Sequence, residues 1–116
     1  MKTLNMVQIV GTAIATPELH RMDGGGARLS FVVETEHSYR SASGITFTEK
    51  HRIAVRAYAF AALEGAALRA GDWCLVVGHI CSGGHEDRQG RHEHSWVAAT
   101  RIAPLAPEEV ADRDDT

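Results

Sequence analysis

At 116 residues the chain has room for one domain with a single modest core. Hydrophobic residues make up 44% of it, which supports a packed globule and excludes a chain without a core. No apolar run of about 18 residues occurs, so no membrane-spanning helix is expected, and a net charge of −3 excludes a broadly basic surface. That charge is unevenly spread. The last ten residues hold five acids and one base, leaving 11 basic against 10 acidic residues, and seven histidines, in the body. Any basic surface is therefore local.

The opening "MKTLNMVQIVG" is interrupted by Gln8 and has no small-residue cleavage pattern, so no signal peptide is expected. Cys74 and Cys81 fall at an odd spacing in one predicted strand, on opposite faces and about 23 Å apart. They are too distant to bridge. Two unpaired thiols point to a reduced, cytoplasmic compartment.

Residues 4–14, "LNMVQIVGTAI", predict a first strand with Gly11 at a bulge or bend. "TPELHRMDGGGA" predicts a turn. "RLSFVVETEHSY" predicts a second strand with Leu29, Phe31 and Val33 on one face. "RSASG" predicts a loop, and a third strand runs from Ile45 to Tyr58. The alanine-rich "AFAALEGAALRAGD" changes to a helical period. It places Phe60, Leu63, Ala67 and Leu68 on one stripe and offers Gly71 as a C-terminal cap. "DWCLVVGHICS" predicts a fourth strand, "GGHEDRQGR" a hairpin loop and "HEHSWVAATRIAPL" a fifth strand. The order β-β-β-α-β-β is that of an OB-fold: an all-β chain with one short helix, closed as a five-stranded Greek-key barrel. The barrel is expected over residues 1–106, with 107–116 as a short acidic tail without fixed structure.

Two strands have unusual faces. In "TEKHRIAVRAY", residues 48–58, one parity reads His51, Ile53, Val55, Ala57 and suits packing. The other reads Lys50, Arg52, Ala54, Arg56, Tyr58 and presents three cations and a ring on one face. Ordinary solvated charge is the plain alternative. In the fourth strand both parities are largely apolar. A small barrel has one interior, so the face of Trp73, Leu75, Val77 and His79 predicts a subunit interface.

"NMVQIVG", "PELHRMDGGGARLSFVVET", "EKHRIAV", "LRAGDWCLVVGHI" and "DRQGR" follow one another in an order and spacing that resemble a known family. It is the bacterial-type single-stranded DNA-binding proteins, and the resemblance covers about residues 5–105. The resemblance implies an OB-fold that binds single strands without catalysis, as a homodimer or homotetramer. Primosomal replication proteins share that fold. Matched by position, Tyr39 keeps one of the family's stacking aromatics, while Lys50, Arg56 and His85 stand where the others would be. The family's long tail with a terminal phenylalanine is here the short "PEEVADRDDT". The expected contacts are Tyr39, Arg40, Lys50, Arg52, Arg56, Tyr58, His85, Arg88 and Arg91. Stacking on a ring contributes about 1–3 kcal/mol per base, and arginine exchanges part of that for forked phosphate contacts. The expected partners are single-stranded DNA and replication or recombination proteins. RNA stays open, since nothing reads a 2′-hydroxyl.

Other functions fit less well. An OB-fold interaction module with weak or no DNA binding, as in a primosome accessory, is the main alternative. Cys81, His85, Asp87, His92 and His94 carry metal-ligand chemistry, but their spacing matches no standard finger, and a polar hairpin with solvent-facing histidines is the simpler expectation. No metal, cofactor or catalytic group is therefore assigned. The chain has no phosphate-binding G-x-x-x-x-G-K motif. "HSY" and "HSW" put serine and histidine on opposite strand faces, which is wrong for a nucleophile and its base.

Overall fold

The alternation seen in the sequence becomes a closed sheet in the computed structural model, which describes residues 2–114. The elements are β1 (Val7–Ala13), β2 (Glu18–Arg21), β3 (Ala27–Arg40), β4 (Thr46–Tyr58), α1 (Ala59–Gly65), β5 (Trp73–Asp87), β6 (Gly90–Pro104) and α2 (Pro107–Asp114). β1 pairs with β5, β5 with β6, and β3 with β4, all antiparallel. β4 and β6 pair in parallel. β3 then returns to β1 through Thr12↔Glu34 and Ala13↔Val33, and the ring closes. This is a five-stranded OB barrel. Its interior takes one parity of β1, β3, β4 and β5, namely Ile9 and Ala13, then Leu29, Phe31 and Val33, then Val55 and Ala57, then Cys74 and Val76; in β6 it takes Val97 and Ala99 and, past a bulge that switches the parity, Ile102. Burial, with the Asp72 carboxylate adding to it, pushes the Cys74 thiol up to about 11. Cys74 and Cys81 are both free.

Closure brings backbones nearly into contact, and glycines stand at those points. A Cβ on Gly78 would strike the carbonyl oxygen of Ala98 and approach Ala99 Cα to 3.0 Å. A Cβ on Gly11 would strike the carbonyl oxygen of Glu34. Next to Gly78 the β5–β6 register slips, with Val77 opposite Arg101 but Gly78 opposite Ala99. The extra residue, Thr100, bends β6 around the barrel.

The helix covers one end of the barrel with a face other than the expected one. It stops at Gly65, well short of Gly71, which instead makes a positive-φ turn before β5. Ala61, Ala62 and Gly65 are buried, while Phe60 and Leu63 are 70% and 50% exposed. Small residues win because the helix lies directly on the core. A Cβ at Gly65 would be 2.5 Å from Leu29 Cδ2 and 3.0 Å from Ile102 Cδ1. Glu64 fixes the contact by accepting from Arg101 Nε at 3.0 Å and Ile102 N at 3.2 Å.

Four further segments differ from the sequence reading. The expected turn after β1 contains β2, whose Leu19 pairs with Leu29 and packs on the core. The expected first strand starts three residues later, at Val7. Asn5 extends that edge by side chain, donating to Ile80 O and accepting from Ile80 N, each at 2.8 Å. The expected hairpin loop at 83–91 is mostly ladder, paired as far as Asp87↔Gly90. The tail expected to lack structure forms α2, with Val110 buried. Pro107 suits a first helical turn, and Glu108 and Glu109 favour its positive end. The last two tail residues lie outside the described residues.

Because β3–β4 and β5–β6 are longer than the barrel is tall, both hairpins project from it as arms. Their tips are Ser41–Ile45, closed by Ser41 N to Ile45 O at 2.8 Å, and the Arg88–Gln89 turn.

Gly78→Ala forces a methyl into the Ala98 backbone and should cost about 2 kcal/mol or more. The urea midpoint is expected to fall with the denaturant slope unchanged. A midpoint equal to the parent's would show that the backbones do not need to pass so closely.

Candidate nucleic-acid interface

The ladder between β3 and β4 sets out an open outer face. Ser30 lies opposite Arg56, Val32 opposite Ala54, Glu34 opposite Arg52 and Glu36 opposite Lys50. Arg28 lies opposite Tyr58, so Lys50, Arg52, Arg56 and Tyr58 share one face. The small side chains Ser30, Val32 and Ala54 form a floor. A groove of about 400 Å³ runs between that floor, Arg56 and the Ile14–Thr16 segment. A second groove, about 330 Å³, lies between the arms and is lined by Val7, Ile9, Ile53, Ile80 and Trp96.

The cations on this side are not equivalent. Arg52 Nε donates to Glu34 Oε2 at 3.3 Å. Arg91 is held by Glu93 at 2.9 Å and Glu86 at 3.8 Å. Such exposed pairs add little stability, but they cancel charge locally. Among the described residues, Lys50, Arg56, Arg40 and Arg88 form no ion pair with an acid.

Arg56 has a different partner. Its guanidinium carbon lies 4.2 Å from the centroid of the Trp96 ring. The parallel β4–β6 pairing, with Val55↔Val97 and Arg56↔Ala98, puts the two side chains beside each other on the outer face. A guanidinium laid on an indole is attracted by the ring quadrupole. Its N–H edge remains free to fork onto an oxyanion. Trp96 is half-buried and sits on the outer face of the barrel.

On the arms, neighbouring residues diverge. Tyr39 and Arg40, both expected as contacts, lie on opposite faces and do not offer one joint contact. Tyr39 instead stacks on Phe47, with centroids 5.5 Å apart, and His37 extends the row at 6.3 Å from Tyr39. Tyr39 and Phe47 are 44% and 43% exposed, which leaves ring area open. Phe47 was missed because only the hairpin register makes it the partner of Tyr39. Arg40 Nε reaches Gly44 O at 3.4 Å. His51, expected to pack, is exposed and 3.2 Å from Glu49. On the second arm His94 leans on Trp96 at 5.3 Å, and His92 stacks on His85 at 5.2 Å. One face of that arm thus carries a row of rings from the barrel to the tip, where Arg88 sits.

The outer face of β5 lies elsewhere on the barrel. Trp73, Leu75 and Val77 are half-buried there with Val10 of β1, and His79 is exposed.

The model of the Single-strand binding protein family matches residues 4–103. The single-stranded DNA-binding protein of Deinococcus radiodurans is 28% identical over 104 residues, which is 89% of this chain and 35% of that protein. A deletion mutant of the single-stranded DNA-binding protein from Thermus aquaticus superposes with a TM-score of 0.79 at 26% identity, over 90% of this chain and 51% of that one. Plasmodium falciparum SSB in complex with ssDNA gives a TM-score of 0.81 at 15% identity, over 91% of this chain and 98% of that one. The chain therefore spans about a third of the Deinococcus protein and half of the Thermus protein. With the barrel and both arms inside the matched span, the chain belongs to the Single-strand binding protein family.

Proposed function

We propose that the protein binds single-stranded DNA without catalysis, across the outer face of β3, β4 and β6 and between the two arms. The observation that carries this reading is Arg56 on Trp96: a cation without an acidic partner among the described residues, laid on a ring, beside an open groove. Related proteins named for the same activity support it. In this reading Arg56, Lys50 and Arg88 meet phosphates. Trp96, Tyr58 and the Tyr39–Phe47 pair meet bases, with His85 beside them on the second arm. Arg52, Arg91 and Arg40 contribute less, because acids or a carbonyl already hold them. Protecting or presenting single strands during replication, recombination or repair in the cytoplasm is the corresponding role. Among the described residues, no helix is long and apolar enough to cross a membrane.

We also propose that Trp73, Leu75, Val77 and His79 meet a second copy of the chain. An apolar outer strand face supports this, since the barrel interior already takes the other parity of β5.

Titration with an oligothymidine at several salt concentrations tests the first proposal. Arg56→Gln is expected to weaken binding and to flatten the log–log salt slope by about 0.7, the loss of one phosphate contact. Glu34→Gln is expected to act oppositely, because it releases Arg52. No binding of the parent at about 20 mM salt, where phosphate attraction is strongest, would sink the proposal. Light scattering tests the second. The parent is expected as a dimer or tetramer and Leu75→Asp as a smaller species, whereas a monomeric parent would refute it.

A further inference from the structure

The tip of the second arm carries a cluster that strand binding does not require. His85 and His92 are direct partners across the β5–β6 ladder, with stacked rings. Asp87 lies two residues further along the same face, its carboxylate 3.0 Å from His92 Nε2. The tight turn holds it there. Gln89 N donates to Asp87 Oδ1 at 2.7 Å, and Gly90 takes a φ of 119° that suits glycine. One ligand atom from each of His85, Asp87 and His92 lies within 4.8 Å of the other two.

Two imidazoles and a carboxylate are the donor set of a borderline divalent ion. With bonds of about 2.0–2.1 Å, the edge of a tetrahedral site is about 3.3 Å. The ligand atoms now lie within 4.8 Å of one another, wider than that edge, and all three side chains are exposed, so side-chain rotation closes the gap without moving the ladder. The usual difficulty for a surface site is holding distant residues together, and here the ladder does that. His85 and His92 are far apart for a finger motif yet adjacent in register, which is why their spacing alone predicted no metal.

We propose that the arm tip binds one zinc-class divalent ion per chain through His85, Asp87 and His92, with the fourth position open to water or another oxygen donor. The ion ties β5 to β6 at the arm tip, adding to the ladder and to the exposed Arg91–Glu86 and His92–Asp87 pairs. It also adds two positive charges close to Arg88. The proposal stands apart from strand binding, because its readout is the metal itself.

Protein without a histidine tag is titrated with Co²⁺ and followed by the visible absorption of the tetrahedral ion, with Zn²⁺ as competitor. The expected result is saturation at one Co²⁺ per chain, displaced by Zn²⁺. His85→Ala, His92→Ala and Asp87→Asn should each weaken it by about tenfold or more. His20→Ala and His51→Ala remove other exposed histidines that lie beside carboxylates, and should leave binding unchanged. Circular dichroism confirms that each variant is folded. Absence of saturable binding, or binding that survives His85→Ala or His92→Ala, overturns the proposal.

Discussion

Closing five strands into so narrow a barrel requires backbones to pass almost in contact, and the rest of the molecule depends on those passages. Gly78 against Ala98, and Gly11 against Glu34, are passages in the barrel wall where a methyl group has no room. Closure there fixes which parity of each strand faces inward. The outward parity is fixed by the same step: Arg56, Ala54 and Arg52 on β4, Trp96 on β6, and Leu75 and Val77 on β5. The candidate site is thus a by-product of barrel geometry. Its side chains stand on ladder-held strands, with rotamers limited by their cross-strand neighbours.

The electrostatics of that surface are compatible with the proposed attraction of a polyanion by a chain of net charge −3. Acids are spent on particular cations, Glu34 on Arg52 and the Glu86–Glu93 pair on Arg91. Arg56 is held by a ring instead, so its orientation is set without loss of its charge. On this side the cations that no acid cancels are therefore Arg56 and Lys50 beside the groove and Arg40 and Arg88 near the arm tips. In the proposed mode of binding, such a surface is expected to give modest affinity with strong salt dependence, because phosphate contacts outweigh the fully open stacking platforms.

Parity is a local property, and it was legible. The alternation in residues 48–58 was enough to separate Arg52 and Arg56 from Ile53 and Val55, and Gly11 inside the first predicted strand signalled a bend. What the sequence concealed depends on pairing between distant strands. Trp96 reads as an ordinary strand tryptophan until the parallel β4–β6 contact puts it under Arg56. Phe47 gains its partner only through the hairpin register, and His85 meets His92 for the same reason. Helix α1 misled in another way. Large residues at helical spacing suggested a buried stripe, but the barrel end admits a backbone lying close, so Ala61, Ala62 and Gly65 face inward. β2 is too short, between Pro17 and three glycines, to alternate visibly.

The two tryptophans of the chain stand on different outer faces, Trp96 under Arg56 and Trp73 on the apolar side of β5. Nitrogen-15 spectra of their indole N–H groups, recorded during titration with an oligothymidine, therefore test the assignment of the binding face directly. The account predicts that the Trp96 signal moves and saturates with the strand while the Trp73 signal stays in place. A shift at Trp73 with Trp96 unmoved would contradict it.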